Sequence, residues 1–252
     1  MKLDLYYERY GKGEPIVFLH SGGADLRDWM YIAPLLSKHY EVISFDGRGA
    51  GRSPSPIKYA NYVEDVGLLL DHLNLKEVTL VGHSMGGQIA TDFAMHKPDR
   101  VSKLVLIAPS LSGYTYSNEF NNEMKEILNE APDIEKMVTR ALRAPMYQII
   151  TKHPQLDLMV QMLSDHCKRM LTWPIFEMIW PQPLTAERLE RLEAETLFII
   201  GSEDSKENFR VATCFQVVPH IRSEQVSGAD HMVTLTHPNA VYRLIKGFMD
   251  GS

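Results

Sequence analysis

The chain has 252 residues, of which 44% are hydrophobic and 23% are charged, and its formal net charge at pH 7 is −6. These values are ordinary for a soluble globular protein, and the acidic balance argues against a nucleic-acid partner. Two cysteines without a short spacing, Cys167 and Cys214, favour reduced, buried thiols over a disulfide framework or a zinc site, and the lack of an apolar leader or of a run of about 18 apolar residues predicts a cytoplasmic protein with no membrane partner.

The first part of the chain alternates short apolar runs with amphipathic segments. Alternation of apolar and polar residues predicts a strand at 3–10. Continuous apolar runs suit strands that are covered on both faces, and they predict strands at residues 15–20, 41–45, 78–83 and 101–108. Helical spacing predicts helices at 28–38, 59–75 and 85–97, the first with its inward face formed by Trp29, Ile32, Leu35 and Leu36. This order predicts a doubly wound α/β fold with a mostly parallel sheet.

A glycine-rich loop follows the third predicted strand, from Asp46 to Ser53. A phosphate-binding loop would need Lys followed by Ser or Thr after the glycines and a helix starting there, and this segment has neither. A tight structural loop is the better interpretation.

The pattern changes at about residue 110. Residues 111–191 lack a convincing strand and carry helical segments separated by prolines, so they predict a helical cap inserted into a core formed by 1–110 and 192–252. An insertion at this place lies beside the carboxyl end of the sheet, where ligands bind in open α/β folds. Its apolar side chains are either an ordinary helical core or an adaptable pocket wall: Met124, Met137, Met146, Met159, Met162, Met170, Met178, Trp173, Phe176 and Trp180.

The alternating pattern resumes near the end of the chain. It predicts a strand at 195–201, a helix at 208–216, a short strand at 223–226 and a closing helix at 238–249.

One stretch combines a buried strand, a sharp turn and a helix start, and it runs from Val78 to Ala90. At the turn stands Gly82-His83-Ser84-Met85-Gly86, which fits the Gly-x-Ser-x-Gly nucleophile elbow. Alone this pentapeptide is weak evidence, but the strand before it and the helix after it supply the required context. The positions two before and two after Ser84 must be tiny, because a Cβ there would collide with neighbouring backbone.

Five landmarks in order resemble the α/β-hydrolase fold family, in particular its serine esterases and lactonases. They are His20-Ser21-Gly22-Gly23, Asp46-x-Arg48-Gly49-x-Gly51-x-Ser53, the elbow, Gly201-x-x-Asp204 and Gly228-x-x-His231. The order Ser, Asp, His is that of the family. The resemblance covers nearly the whole chain and implies a Ser-His-Asp triad.

A serine needs an adjacent base and an acid that orients the base. Of ten histidines, only His231 follows a strand on a small-residue loop at the sheet's carboxyl edge, and His237 is the alternative. The acid is predicted to be Asp204. Neighbouring Glu203 should point elsewhere, and Asp230 is discounted because side chains adjacent in sequence diverge. His83 should face away across the elbow.

The oxyanion hole is predicted from the backbone N–H groups of Met85 and Gly22. Ser21 stands where the family commonly has glycine, so its hydroxyl is a further candidate. Residues predicted to contact the substrate are Ser21, Met146, Trp173, Trp180 and Met232.

These residues predict a serine hydrolase acting on small, largely apolar carboxylic esters or lactones, with neither a metal nor a cofactor. Ser84 argues against dehalogenase-like and epoxide hydrolase-like activity, which use aspartate at the elbow. Carbon–carbon bond hydrolysis and haloperoxidase-like perhydrolysis stay open on the same triad, although Met232 replaces the aromatic residue usual after the histidine of carbon–carbon hydrolases. A receptor that only binds a small ligand is the alternative from another class.

Overall fold

The computed structural model of the protein describes residues 3–174 and 177–251, and a sheet runs through its centre. Within these ranges the sheet has seven strands in the order β1-β3-β2-β4-β5-β6-β7, and only β1 is antiparallel to its neighbour. The strands are β1 (Tyr7–Gly11), β2 (Pro15–Leu19), β3 (Glu41–Phe45), β4 (Val78–His83), β5 (Val101–Ile107), β6 (Glu195–Gly201) and β7 (Ile221–Val226). The mostly parallel α/β sheet is therefore confirmed.

Helices connect the strands and follow the predicted order. They are α1 (Ala33–Leu36), α2 (Tyr62–His72), α3 (Met85–His96), α4 (Asn118–Asn129), α5 (Ile134–Ala141), α6 (Leu156–Met170), α7 (Lys206–Cys214), α8 (Val233–Thr236) and α9 (Pro238–Met249). The bounds of α9, β3 and β6 match the prediction, while α2 and β1 are shorter than predicted.

Both faces of the sheet are buried. Successive residues of one strand point to opposite faces, so Leu104 packs in one core cluster with α2 and α3, while Val105 packs in the other with α1 and α9. Each fully buried aliphatic side chain of this kind contributes about 1.5–3 kcal/mol. The doubly wound arrangement follows from this pattern. Because helices cover both faces of the sheet, a site is expected at the carboxyl ends of the strands.

The continuous helix predicted at 28–38 is wrong. A 3₁₀ turn spans Leu26–Trp29, and the α-helix covers only Ala33–Leu36. Pro34 is the cause, because proline lacks the N–H of a helix interior but fits the first turn, where it starts a new helix. Leu35, predicted to point inward, is only half-buried, whereas the other three residues of that face are buried.

Between β5 and β6 the described residues form helices and turns, with one isolated bridge between Ala60 and Met178. Three of the methionines in this segment, Met137, Met159 and Met162, are buried in a third core cluster with Ile150 and other helical residues. Their helical spacing places them on the inner faces of α5 and α6. The helical-core interpretation therefore applies to these methionines, and the division of the chain into a core and a cap stays a prediction. Phe176 lies outside the described residues.

Two further predictions from the sequence concern membrane-spanning helices and the state of the cysteines. No helix within 3–174 or 177–251 combines the length and the apolar character needed to cross a bilayer. Cys167 is buried and Cys214 is half-buried, and both are free thiols.

Candidate active site

Ser84 lies at the junction of β4 and α3 with a backbone φ of 53° and ψ of −115°. This left-handed conformation is rare for any residue except glycine and costs about 1–3 kcal/mol. The packing around the turn enforces it. A Cβ on Gly82 would lie 2.4 Å from the carbonyl oxygen of Gly86, and a Cβ on Gly86 would lie 2.2 Å from that of Leu19. The turn therefore has the close packing of a nucleophile elbow.

The two predicted oxyanion donors lie side by side. Met85 is the first residue of α3, so its N–H has no acceptor within the helix. A Cβ placed on Gly22 would lie 3.7 Å from the Cβ of Met85, which shows how closely the loop after β2 approaches the elbow. The helix N-terminus adds a positive electrostatic potential at the same place.

Asp204 and His231 form a buried pair on the loops after β6 and β7. His231 Nδ1–H donates to Asp204 Oδ2 at 3.2 Å. The other carboxylate oxygen accepts two hydrogen bonds, at 2.7 Å from the Ser205 N–H and at 2.6 Å from the side-chain amide of Asn208. The Asn208 amide nitrogen is also only 3.0 Å from His231 Nδ1. This arrangement presents His231 Nε2 as the nitrogen that could accept a proton.

A second buried pair, Asp28 and His83, lies directly behind the first. His83 Nδ1 is 2.9 Å from Asp28 Oδ2, and both side chains are fully buried. Burial alone would raise the pKa of Asp28 and lower that of His83. The attraction between the two groups outweighs it, so the pKa of Asp28 falls to about 2 and the pKa of His83 rises.

The two discounted carboxylates, Asp230 and Glu203, and the alternative base, His237, have other partners. Asp230 accepts hydrogen bonds from the N–H groups of Ile149, Ile150 and Met232, so it anchors the loop before α6. Glu203 is exposed and contacts Ser202. His237 pairs with the hydroxyl of Thr236 at the start of α9.

A pocket that is partly open to solvent lies beside Met85, and the space between its wall atoms, solvent included, totals about 460 Å³. Most of its wall is apolar: Leu19, Ala24, Phe45, Ala50, Ile89 and Trp173. His20 also faces it, but its two nitrogens already contact the Gly47 N–H and the Ser21 carbonyl. His166 is different, because its Nδ1 has no hydrogen-bond partner among the described residues and burial lowers its pKa to about 4. Arg48 also lines the pocket, but its guanidinium is paired with Asp4 and Asp65, so the pocket offers a mainly apolar wall with one neutral imidazole.

The predicted substrate contacts are spread over several places. Trp173 lines the cavity beside Met85, whereas Trp180 packs behind it against Tyr62. Met146 borders a separate groove with Ser205 and α4, and its carbonyl oxygen accepts the N–H of His231. Met232 is buried in the third core cluster, which favours a packing role over substrate contact. Buried Ser21 donates its backbone N–H to Asp28.

Sequence reasoning missed four residues of this site: Asn208, Asp28, His83 in its pairing with Asp28, and Tyr147, whose ring contacts that of His231 edge-on at 6.3 Å. Asn208 carries a local signal, since it stands four residues after Asp204 at the start of a helix. The other contacts join distant parts of the chain. Over the described ranges, no cluster of three His, Cys, Asp or Glu side chains is arranged to hold a metal ion.

Comparison with known proteins gives a consistent result. The family model described as alpha/beta hydrolase fold matches residues 14–154. The chain is 27% identical to the sn-1-specific diacylglycerol lipase ABHD11 of Danio rerio, over 94% of this chain and 79% of that protein. It is 25% identical to the (E)-2-((N-methylformamido)methylene)succinate hydrolase of Acinetobacter baylyi, over 97% of this chain and 94% of the relative. Its fold is similar to that of MenH from S. aureus, with a TM-score of 0.82 and 22% identity over 97% and 98% of the two chains.

Proposed function

We propose that this chain, which belongs to the α/β-hydrolase fold family, is a serine hydrolase that cleaves carboxylic esters or lactones of small, largely apolar substrates. The observation that carries the proposal is the convergence of three loops. Ser84 stands on a strained elbow next to the N–H of Met85, which has no acceptor within α3, and the hydrogen-bonded pair of Asp204 and His231 lies on the loops after β6 and β7, at the same edge of the sheet.

In the proposed reaction, Ser84 Oγ attacks the carbonyl carbon of the substrate while His231 Nε2 takes its proton. Asp204 holds His231 in the required tautomer and stabilises the imidazolium that forms. The N–H groups of Met85 and Gly22 bind the developing oxyanion. His231 then protonates the leaving alkoxide. In the second half of the reaction it activates the water that hydrolyses the acyl-enzyme and returns Ser84.

The substrate class follows from the cavity beside Met85. Its wall is mainly apolar, which favours a neutral aliphatic or aromatic group, and His166 adds one hydrogen-bonding position. The names of the lipase and of the succinate hydrolase described above agree with cleavage by water, and the substrates of a lipase are esters. Neither relative defines the acyl group that this chain accepts.

A side-by-side substrate panel tests the proposal. We expect small lactones and chromogenic esters of rising acyl-chain length to be hydrolysed. For the esters, kcat/KM should rise until the acyl chain fills the cavity. A serine-reactive phosphonate should label Ser84, as read by mass spectrometry of the modified peptide. Faster turnover of a diketone would replace the proposal with carbon–carbon bond hydrolysis, and faster peracid formation would replace it with perhydrolysis. No labelling, combined with stabilisation by a ligand, would indicate a receptor.

A first variant addresses Asn208. Replacing it with alanine removes one of the two donors to the distal oxygen of Asp204, which is a hydrogen bond to a charged group. Such bonds contribute about 1.5–3 kcal/mol, so we expect kcat for ester hydrolysis to fall roughly tenfold with little change in KM. Thr213→Ala on the same helix is the control, because within residues 3–174 and 177–251 the hydroxyl of Thr213 bonds only the Phe209 carbonyl. An unchanged kcat in Asn208→Ala would show that Asp204 is held without the amide.

A further inference from the structure

The buried pair of Asp28 and His83 connects three loops of the candidate site. Asp28 Oδ2 accepts the N–H of Ser21, next to the predicted oxyanion donor Gly22, and Asp28 Oδ1 accepts the hydroxyl of Thr234 on α8. His83 immediately precedes Ser84. Its Nε2 lies 2.9 Å from the carbonyl oxygen of His231, and the rings of His83 and His231 are 5.0 Å apart.

The contacts of His83 define its protonation state. The His231 carbonyl can only accept, so His83 Nε2 must carry a hydrogen. On the other side, Asp28 Oδ2 already accepts from Ser21, and Nδ1 faces this same oxygen. A protonated His83 beside an ionised Asp28 satisfies all four contacts, and the two other donors to Asp28, the Ser21 N–H and the Thr234 hydroxyl, favour this ion pair over the neutral pair because they stabilise the charged carboxylate. The raised pKa of His83 and the lowered pKa of Asp28 agree with this assignment. The other titratable groups that act on His83 are His231 and, beyond it, Asp204.

We propose that His83 is a positioning residue, protonated at neutral pH, which holds the backbone of His231 through Nε2 and is itself held by Asp28. The His231 backbone is fixed from two sides, because its N–H donates to the Met146 carbonyl while its carbonyl accepts from His83. Asp204 then has only to orient the ring. The kinetic consequence rests on the proposed function, whereas the protonation state does not.

The first test needs no substrate. In protein labelled with ¹⁵N at histidine, the ring nitrogens of His83 should both be protonated at pH 7.5, one pH unit above the ordinary pKa of histidine, about 6.5. The His83→Gln spectrum identifies the signal by its loss. A neutral His83 in the wild type at this pH would overturn the proposal, whatever the substrate panel shows.

The second test uses two variants that each keep one half of the contact. The amide nitrogen of glutamine can take the place of Nε2 and donate to the His231 carbonyl, whereas that of asparagine can take the place of Nδ1 and donate only to Asp28. Misplacement of a catalytic group by about 1 Å can cost about 100-fold. We expect His83→Asn to lower kcat for the best ester by roughly 10- to 100-fold and His83→Gln by less than tenfold, with KM nearly unchanged in both.

A purely structural role for His83 predicts a different order. Both variants unbalance a buried charge pair, so both should lower the melting temperature by roughly 10 °C. If His83 affected stability alone, kcat would follow the melting temperature. The kcat of His83→Asn would then equal or exceed that of His83→Gln. That result would overturn the positioning role.

Thr185→Val is the matched control. It weakens another buried network, in which Asp92, two turns along α3 from Met85, accepts the hydroxyls of Ser112 and Thr185. It should lower the melting temperature and leave kcat unchanged. If Thr185→Val lost kcat in proportion to its loss of stability, the lower kcat of the His83 variants could no longer be assigned to the position of His231 and would be explained by stability.

Discussion

Replacing Ser84 with alanine is expected to lower kcat for ester hydrolysis by about a millionfold, to the level that binding alone sustains. The expectation rests on the position of Ser84 at the elbow, where the close packing of Gly82 and Gly86 holds its backbone in a strained conformation. The first helical N–H next to it, that of Met85, has no acceptor within α3. Alanine removes only Oγ and leaves this geometry in place. Initial rates with the best ester of the panel measure the loss.

Substitution of Ser84 should also show that the residue lowers the stability of the protein in exchange for activity. Ser84 has a φ of 53° and a ψ of −115°, which glycine adopts without strain. Relief of the strain exceeds the extra entropy that glycine loses on folding, and we expect a net gain of about 1 kcal/mol for Ser84→Gly over Ser84→Ala. In a chain of this length that gain raises the melting temperature by about 2–4 °C. Thermal unfolding of the two inactive variants measures it.

Two controls complete the experiment. Ser37→Ala, which removes a hydroxyl that bonds the Pro34 carbonyl at the C-terminus of α1, should keep the wild-type kcat and nearly the wild-type melting temperature. Circular dichroism should show that Ser84→Ala keeps its fold. Ester turnover by Ser84→Ala at the wild-type rate would mean that the nucleophile is elsewhere, and a glycine variant less stable than the alanine variant would mean that the elbow is not strained.

The sequence was sufficient for the features that depend on local packing. The elbow could be recognised because its glycines, its strand and its helix are contiguous. Ser84, Asp204 and His231 could be predicted to meet because the carboxyl ends of parallel strands lie at the same edge of the sheet. The closing helix at 238–249 matched because its apolar spacing is regular over three turns. At 28–38 the spacing was equally regular, but Pro34 interrupts the backbone hydrogen bonds and divides the segment.

The contacts that join distant segments could not be read from spacing. Asp28 and His83 are 55 positions apart, and Asp28 lies in a segment that the sequence presents as a helix. The methionines between β5 and β6 illustrate a different limit. Apolar residues look alike whether they face a core or a cavity, and only the packing of α5 against α6 shows that Met137, Met159 and Met162 belong to the core.

Replacing Asp204 with asparagine is expected to lower kcat by about 10,000-fold, because the surroundings dictate which way the new amide turns. Two donors converge on Asp204 Oδ1, namely the Ser205 N–H and the Asn208 amide, so the oxygen of the new side chain takes that position. Its NH₂ then faces His231 Nδ1, which must accept. The ring proton therefore moves to Nε2, the nitrogen that has to take the proton of Ser84.

A second substitution can test this explanation, because the Asn208 amide nitrogen lies 3.0 Å from His231 Nδ1. Asp204→Asn combined with Asn208→Asp places a carboxylate oxygen at that distance and restores an acceptor for Nδ1–H. The exchange sacrifices the 2.6 Å bond between the two side chains, so we expect partial recovery, about tenfold over Asp204→Asn alone. Asn208→Asp alone should lower kcat, since it sets two carboxylates against each other. Failure of the double variant to exceed Asp204→Asn, with both folded by circular dichroism, would show that the tautomer of His231 does not explain the loss.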